Sequence, residues 1–169
     1  MTSSAQAEPD DGRHDFDFIF GAWNIHNRKR RDSTDQTSDE WVEFETTSRT
    51  EPIFGGLSHL ERIRADDETP GGPWEGLTLR QFDPQDQLWR IWWASTRRPG
   101  HVDSPLSGAF TDGVGVFLGE DNLAGVPVSL RFTWTNPEPE RARWAQEISW
   151  DRGGSWRLDW VMEFSRAHS

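Results

Sequence analysis

The chain has 169 residues, the size of a single domain with a core of its own. Hydrophobic residues make up only 33%, yet there are 11 Trp and 10 Phe with no Tyr, so the apolar surface is concentrated in large rings. The 29 acids against 18 Lys and Arg give a formal charge of -11, which repels phosphate backbones and argues against nucleic acid or an anionic membrane as a partner, and the lack of cysteine excludes disulfide and thiolate chemistry.

Residues 1–13, MTSSAQAEPDDGR, are small, polar and acidic and read as a disordered tail ahead of one domain spanning 14–169. They hold no apolar segment of the kind that directs secretion, and no apolar run is long enough to span a bilayer, so a soluble, cytoplasmic protein is expected. In HDFDFIFGAW, Phe16, Ile19 and Phe20 fall at near-helical spacing behind Asp15 and Asp17, which predicts a short helical turn ending at Gly21. From there the period is two. Trp23, Ile25 and Asn27 share one face of a first strand, and Val42, Phe44, Thr46 and Ser48 share one face of a second. The basic run Arg28 to Arg31 reads as a solvated strand end leading into a loop.

Strands are expected at 58–65, 75–83 and 88–96, separated by the turn signals DDETPGGP and DPQD. The glycines of DGVGVFLGED read as kinks at a barrel corner, since neither a helix nor a phosphate-binding Lys follows them. Alternation is cleanest in 128–135, 143–150 and 156–164, which set Val128, Leu130, Phe132, Trp134, then Trp144, Gln146, Ile148, then Trp156, Leu158, Trp160, Met162 on one face. The opposite faces carry Arg131, Arg143, Glu147, Arg157 and Asp159, expected as charge ladders on an outer wall. Short strands joined by hairpins, each with one apolar face, predict an all-β fold: an antiparallel up-and-down β-barrel of about eight to ten strands.

Gly21-x-Trp23 after a helical turn, at the head of the first strand, resembles the N-terminal signature of lipocalin and calycin barrels, in which the Trp closes the barrel floor. HDFDFIFGAWNIHNRKR, EPIFGGL, GVGVFLGEDNLAGVPVSLRFTWTN, ARWAQEISWDRGGSW and DWVMEFSR together are similar to a family of Trp-rich, lipocalin-like bacterial proteins without an assigned activity, common in actinobacteria. Where that family reads Trp-Glu-x-Asn-Trp, this chain has Trp156-Arg157-Leu158-Asp159-Trp160. The resemblance implies the barrel, a small-ligand cavity and self-association, and brings no catalytic residues.

On the inward faces the expected ligand-binding residues are Trp23, Phe44, Gln81, Trp93, Phe132, Trp144, Gln146 and Trp160. The rings form an apolar box, and the amides grip a guest or are satisfied by neighbours. Leu79 is placed inward beside them, with Asn27, Thr46 and Ser95 near the strand ends. The loop RRPGHVDSPLSGAF holds His101 and Asp103, read either as turn chemistry ahead of Pro105 or as a general acid–base pair. LWRIWWAST is apolar on both faces, so the Trp92 face is the candidate homodimer contact. Five scattered His in no ligating pattern predict no metal site; no cofactor is expected, with haem on one axial His as the alternative. The expected function is binding of a small apolar or aromatic molecule inside the barrel. The alternative is a cofactor-independent isomerase, cyclase or dehydratase of secondary metabolism, acting on a polyketide-like or terpenoid intermediate.

Overall fold

The computed structural model describes residues 7–168. A 3-10 turn, Asp17–Ile19, leads into ten strands, with a second 3-10 turn, Phe54–Gly56, between the second and third: β1 (Gly21–Arg30), β2 (Trp41–Ile53), β3 (Ser58–Ala65), β4 (Trp74–Asp83), β5 (Leu88–Ser95), β6 (Leu106–Thr111), β7 (Val114–Leu123), β8 (Val126–Glu138), β9 (Arg141–Ser149) and β10 (Arg157–Arg166). Each pairs antiparallel with the next, and β1 pairs with β10, so the sheet closes on itself as an up-and-down barrel without free edges. The fold is compatible with a lipocalin-like architecture. No helix among the described residues is long and apolar enough to cross a membrane.

The Gly-x-Trp motif explains how one end is closed. Gly21 sits at φ 99°, a backbone conformation that only glycine adopts cheaply, and turns the chain from the 3-10 segment into β1. Trp23 is then fully buried, donates its indole N–H to the Ile19 carbonyl at 2.8 Å and packs edge-on against Phe164. Arg166 of β10 lies over its ring at 3.8 Å and donates to the carbonyls of Phe18 and Phe20, which ties the turn to the last strand. Below, Phe16 is 0% exposed and meets Phe110, Phe117, Trp89 and Trp134 at centroid distances of 4.8, 5.5, 5.2 and 5.8 Å. Truncating a ring packed in this way costs roughly 3–5 kcal/mol.

Antiparallel connectivity puts the loops at 31–40, 66–73, 96–105, 124–125 and 150–156 at the opposite end, which forms the mouth. Two strands depart from the sequence reading. Residues 106–110, expected as the end of a loop, belong to β6, and the glycines read as strand kinks lie in or beside the ten-residue strand β7. The inward glycines there make room for large side chains: a Cβ at Gly115 would come within 2.7 Å of Phe110, and one at Gly119 within 2.8 Å of Leu106. The expected tail also joins the fold at its last residues. Trp89 donates to the Gly12 carbonyl at 3.0 Å and Arg13 pairs with Asp11, while residues 1–6 lie outside those described.

Candidate functional site

The barrel encloses a cavity of about 250 Å³ that opens at the mouth. An engineered cavity of ~150 Å³ takes up benzene, so this volume suits a guest of about a dozen non-hydrogen atoms. Its wall brings together five of the residues singled out from sequence: Trp93, Phe132, Trp144, Gln146 and Trp160. Trp144 and Trp160 stand edge to face at 5.5 Å and 83°, and Phe132 meets Trp144 at 5.0 Å.

Three local devices set these rings. Gly76 of β4 faces inward directly under Trp93, whose ring would lie 2.1 Å from an added Cβ; the missing side chain is the space the indole occupies. Asn27, 0% exposed, donates to Thr46 Oγ1 at 2.9 Å and accepts the Trp160 indole N–H at 3.0 Å, so its amide is fully committed to holding one ring. Lys29 Nζ stands over the Trp160 ring at 5.5 Å near the mouth and donates to Ser33 Oγ at 2.9 Å.

The other expected residues fall elsewhere. Trp23 belongs to the sealed floor rather than the cavity wall, and Phe44 packs edge-on against Trp74 at 6.5 Å, also off the wall. Gln81 points outward. It pairs across the sheet with Ser58 and Arg90, while Trp74, Gly76, Thr78, Arg80 and Phe82 take the inner face of β4 and Leu79 goes outside with Gln81. The two aromatic positions at the ends of this strand set its phase against the two leucines. Trp92 lies on the outer wall opposite Leu79 and is half-buried by its own sheet.

Charge inside the barrel was not legible from alternation. Arg80 donates to Glu61 Oε1 at 2.7 Å with both side chains 2% exposed, at the lower end of the cavity, and the Arg80 guanidinium also lies 5.2 Å from the Phe16 ring and 5.0 Å from that of Trp134. His59, the cross-strand neighbour of Arg80, is fully buried with neither ring nitrogen bonded; burial, reinforced by the Arg80 charge, holds its pKa down at about 3. Asp159 is also inside. A β-bulge between Leu158 and Trp160 inserts it as an extra residue, so that Asp159 and Trp160 both border the cavity and Leu158 remains outside. Gln146 Nε2 donates to Asp159 Oδ2 at 2.9 Å. The same phase change turns Arg157 toward the mouth, where it donates to the carbonyls of Asp35 and Ser38. Arg131, Glu147, Arg143 and Glu163 do form the outer charge ladder.

At the rim, His101 Nε2 lies 3.0 Å from Asp103 Oδ1, with Arg98 at 4.0 Å. Asp103 borders the cavity and His101 does not. The Asp103 N–H donates to the Trp93 carbonyl at 2.9 Å, which pins this loop to β5. Burial first, then the nearby Asp121 charge, raises the Asp103 pKa above the ordinary Asp value against the pull of His101 and Arg98. No cluster of metal-ligating side chains occurs among the described residues.

No protein-family model matches the chain, and a search of curated protein sequences finds no match. The protein is a closed ten-stranded barrel with an aromatic interior cavity open at one end.

Proposed function

We propose that the protein binds a small, flat, largely aromatic molecule inside the barrel, with its rings against Trp144, Trp160 and Phe132. The observation that carries this reading is the cavity itself: a Trp-rich barrel of this size could be filled by its own side chains, and here space of about 250 Å³ is left between the rings. Native mass spectrometry of the freshly purified protein, with and without added aromatic compounds, tests it. Mass adducts are expected for the wild type and not for Gln146→Trp, which fills the space. Equal uptake by both proteins would place the guest elsewhere.

A second reading, acid–base catalysis at the mouth, is favoured by the contact between His101 and Asp103 together with the position of Asp103 on the rim. On that reading the substrate sits in the same cavity and His101→Ala lowers turnover by roughly 10²-fold while leaving its affinity unchanged. Equal turnover in the variant would remove the pair from any mechanism.

A further inference from the structure

Among the described residues Gln146 is the one amide on the cavity wall, and a buried acid holds its orientation. Its cross-strand neighbours are Phe132 and Trp160, so it stands in the middle of the aromatic box. Its partner Asp159 is 2% exposed, placed there by the β10 bulge. The NH₂ end of the amide donates to Asp159, which turns the carbonyl Oε1 away from it. Among the described residues Oε1 accepts no hydrogen bond from the protein, nor is it one of the sealed, unpartnered polar atoms. It is therefore an open acceptor on an otherwise mostly apolar wall.

We propose that Asp159 and Gln146 together make the cavity selective for aromatic guests that carry a hydrogen-bond donor, a ring hydroxyl or N–H, placed to meet Gln146 Oε1. Gln146 contacts the guest, and Asp159 acts through it as a positioning residue. A guest bearing a carboxylate is disfavoured for a second reason. The acids bordering the cavity are Glu61, Asp103, Asp121 and Asp159, against the bases Lys29 and Arg80, and Arg80 is already paired with Glu61. This inference rests on the binding reading and adds the chemical class of the guest.

The test is isothermal titration of the full chain at neutral pH with 2-naphthol, 2-methoxynaphthalene and 2-naphthoate, which share one ring system and differ in the group offered to Gln146. The wild type is expected to take the naphthol about tenfold more tightly than the ether, the worth of one neutral hydrogen bond, and the naphthoate most weakly. Gln146→Leu brings the naphthol to the level of the ether and leaves the ether within about twofold. Asp159→Asn, close in shape, releases the amide to turn and narrows the contrast; a purely structural role for Asp159 would weaken all three compounds alike. The wild-type series is decisive even if a variant fails to fold. Equal affinity for naphthol and ether, or a preference for the naphthoate, overturns the proposal and leaves the binding reading standing. Uptake of none of the three overturns both.

Discussion

Breaking the buried ion pair at the lower end of the barrel is the most informative single perturbation. Glu61 and Arg80 are each 2% exposed and joined by one hydrogen bond of 2.7 Å, while Glu61 Oε2 and Arg80 Nε and Nη1 have no protein partner. Two desolvated charges with half-satisfied hydrogen bonding are a weak source of stability as a pair and a large liability once separated. Arg80→Met keeps an unbranched chain between the rings of Phe16 and Trp134 but strands the Glu61 carboxylate without its cation. The expected loss is roughly 3–5 kcal/mol, or a fall in Tm of about 6–20 °C for a chain of this size. The double variant Glu61→Leu, Arg80→Met removes both charges and their three orphaned atoms. It is expected to recover most of the loss, ending within about 1 kcal/mol of the wild type or above it. Urea unfolding at neutral pH, read as a shift in midpoint at constant m, measures all four corners of the cycle. A loss under about 1 kcal/mol for Arg80→Met, or a double variant that loses the sum of the singles, would refute the reasoning, because either result means the two charges are not desolvated together.

Three further outcomes follow from the same interior. His59 is neutral in the fold with its pKa held down at about 3, whereas in the unfolded chain it takes a proton near 6.5; stability is therefore lost as pH falls from about 6.5 toward 3, on the order of 4 kcal/mol in all. Acid titration of His59→Phe by urea midpoint should show a shallower fall over that window, and an unchanged slope would mean His59 is protonated or solvated in the fold. Asp103 has the opposite sign: its raised pKa is a penalty present above the folded value and relieved as pH falls through it, so Asp103→Asn should gain stability at neutral pH and lose that gain toward pH 4. A gain that persists in acid would assign the effect to something other than charge. Gly76→Ala should displace the Trp93 ring, costing about 1–3 kcal/mol by overpacking and shrinking the cavity; unaltered guest uptake with unaltered stability would mean the indole moves aside freely.

Most of the architecture could be read from side-chain alternation because a barrel wall has one wet and one dry face, and a period of two records which is which. β8 and β9 show this most plainly: Phe132, Trp134, Trp144 and Gln146 all point where the pattern puts them. The pattern fails where interior and exterior are equally mixed. β4 offers Leu77 and Leu79 on one parity and Arg80 on the other, so hydrophobicity alone turns Arg80 outward; the signal to weigh against it is the parity of Trp74 and Phe82, two large rings in phase with the arginine. β6 and β7 are hidden for a different reason. Gly108, Ala109, Gly115 and Gly119 give little side-chain signal, and the last two are small because neighbouring residues fill their space.

The candidate specificity element was the least legible part because it depends on a bulge, and a bulge is a change of phase rather than a kind of residue. In WRLDWVMEF strict alternation groups Trp156 and Leu158 with Trp160, Met162 and Phe164, and sends Arg157 and Asp159 to the outer wall with Glu163. The pairing register instead skips Asp159 between Leu158 and Trp160, so the strand reads one way before the bulge and the other way after it. Trp156 accordingly stands outside under Arg131, whose guanidinium lies 4.4 Å from its ring, and Arg157 reaches the adjoining loop after β1. Nothing in the strand's own composition forces that skip. Partners from other strands meet it on both sides: Arg30 donates to the Leu158 carbonyl at 2.8 Å on one side of the bulge, and Gln146 donates to Asp159 on the other. The bulge thus leaves Asp159 2% exposed inside a Trp-lined barrel, bonded through Oδ2 to the Gln146 amide, with Oδ1 buried and without a partner among the described residues.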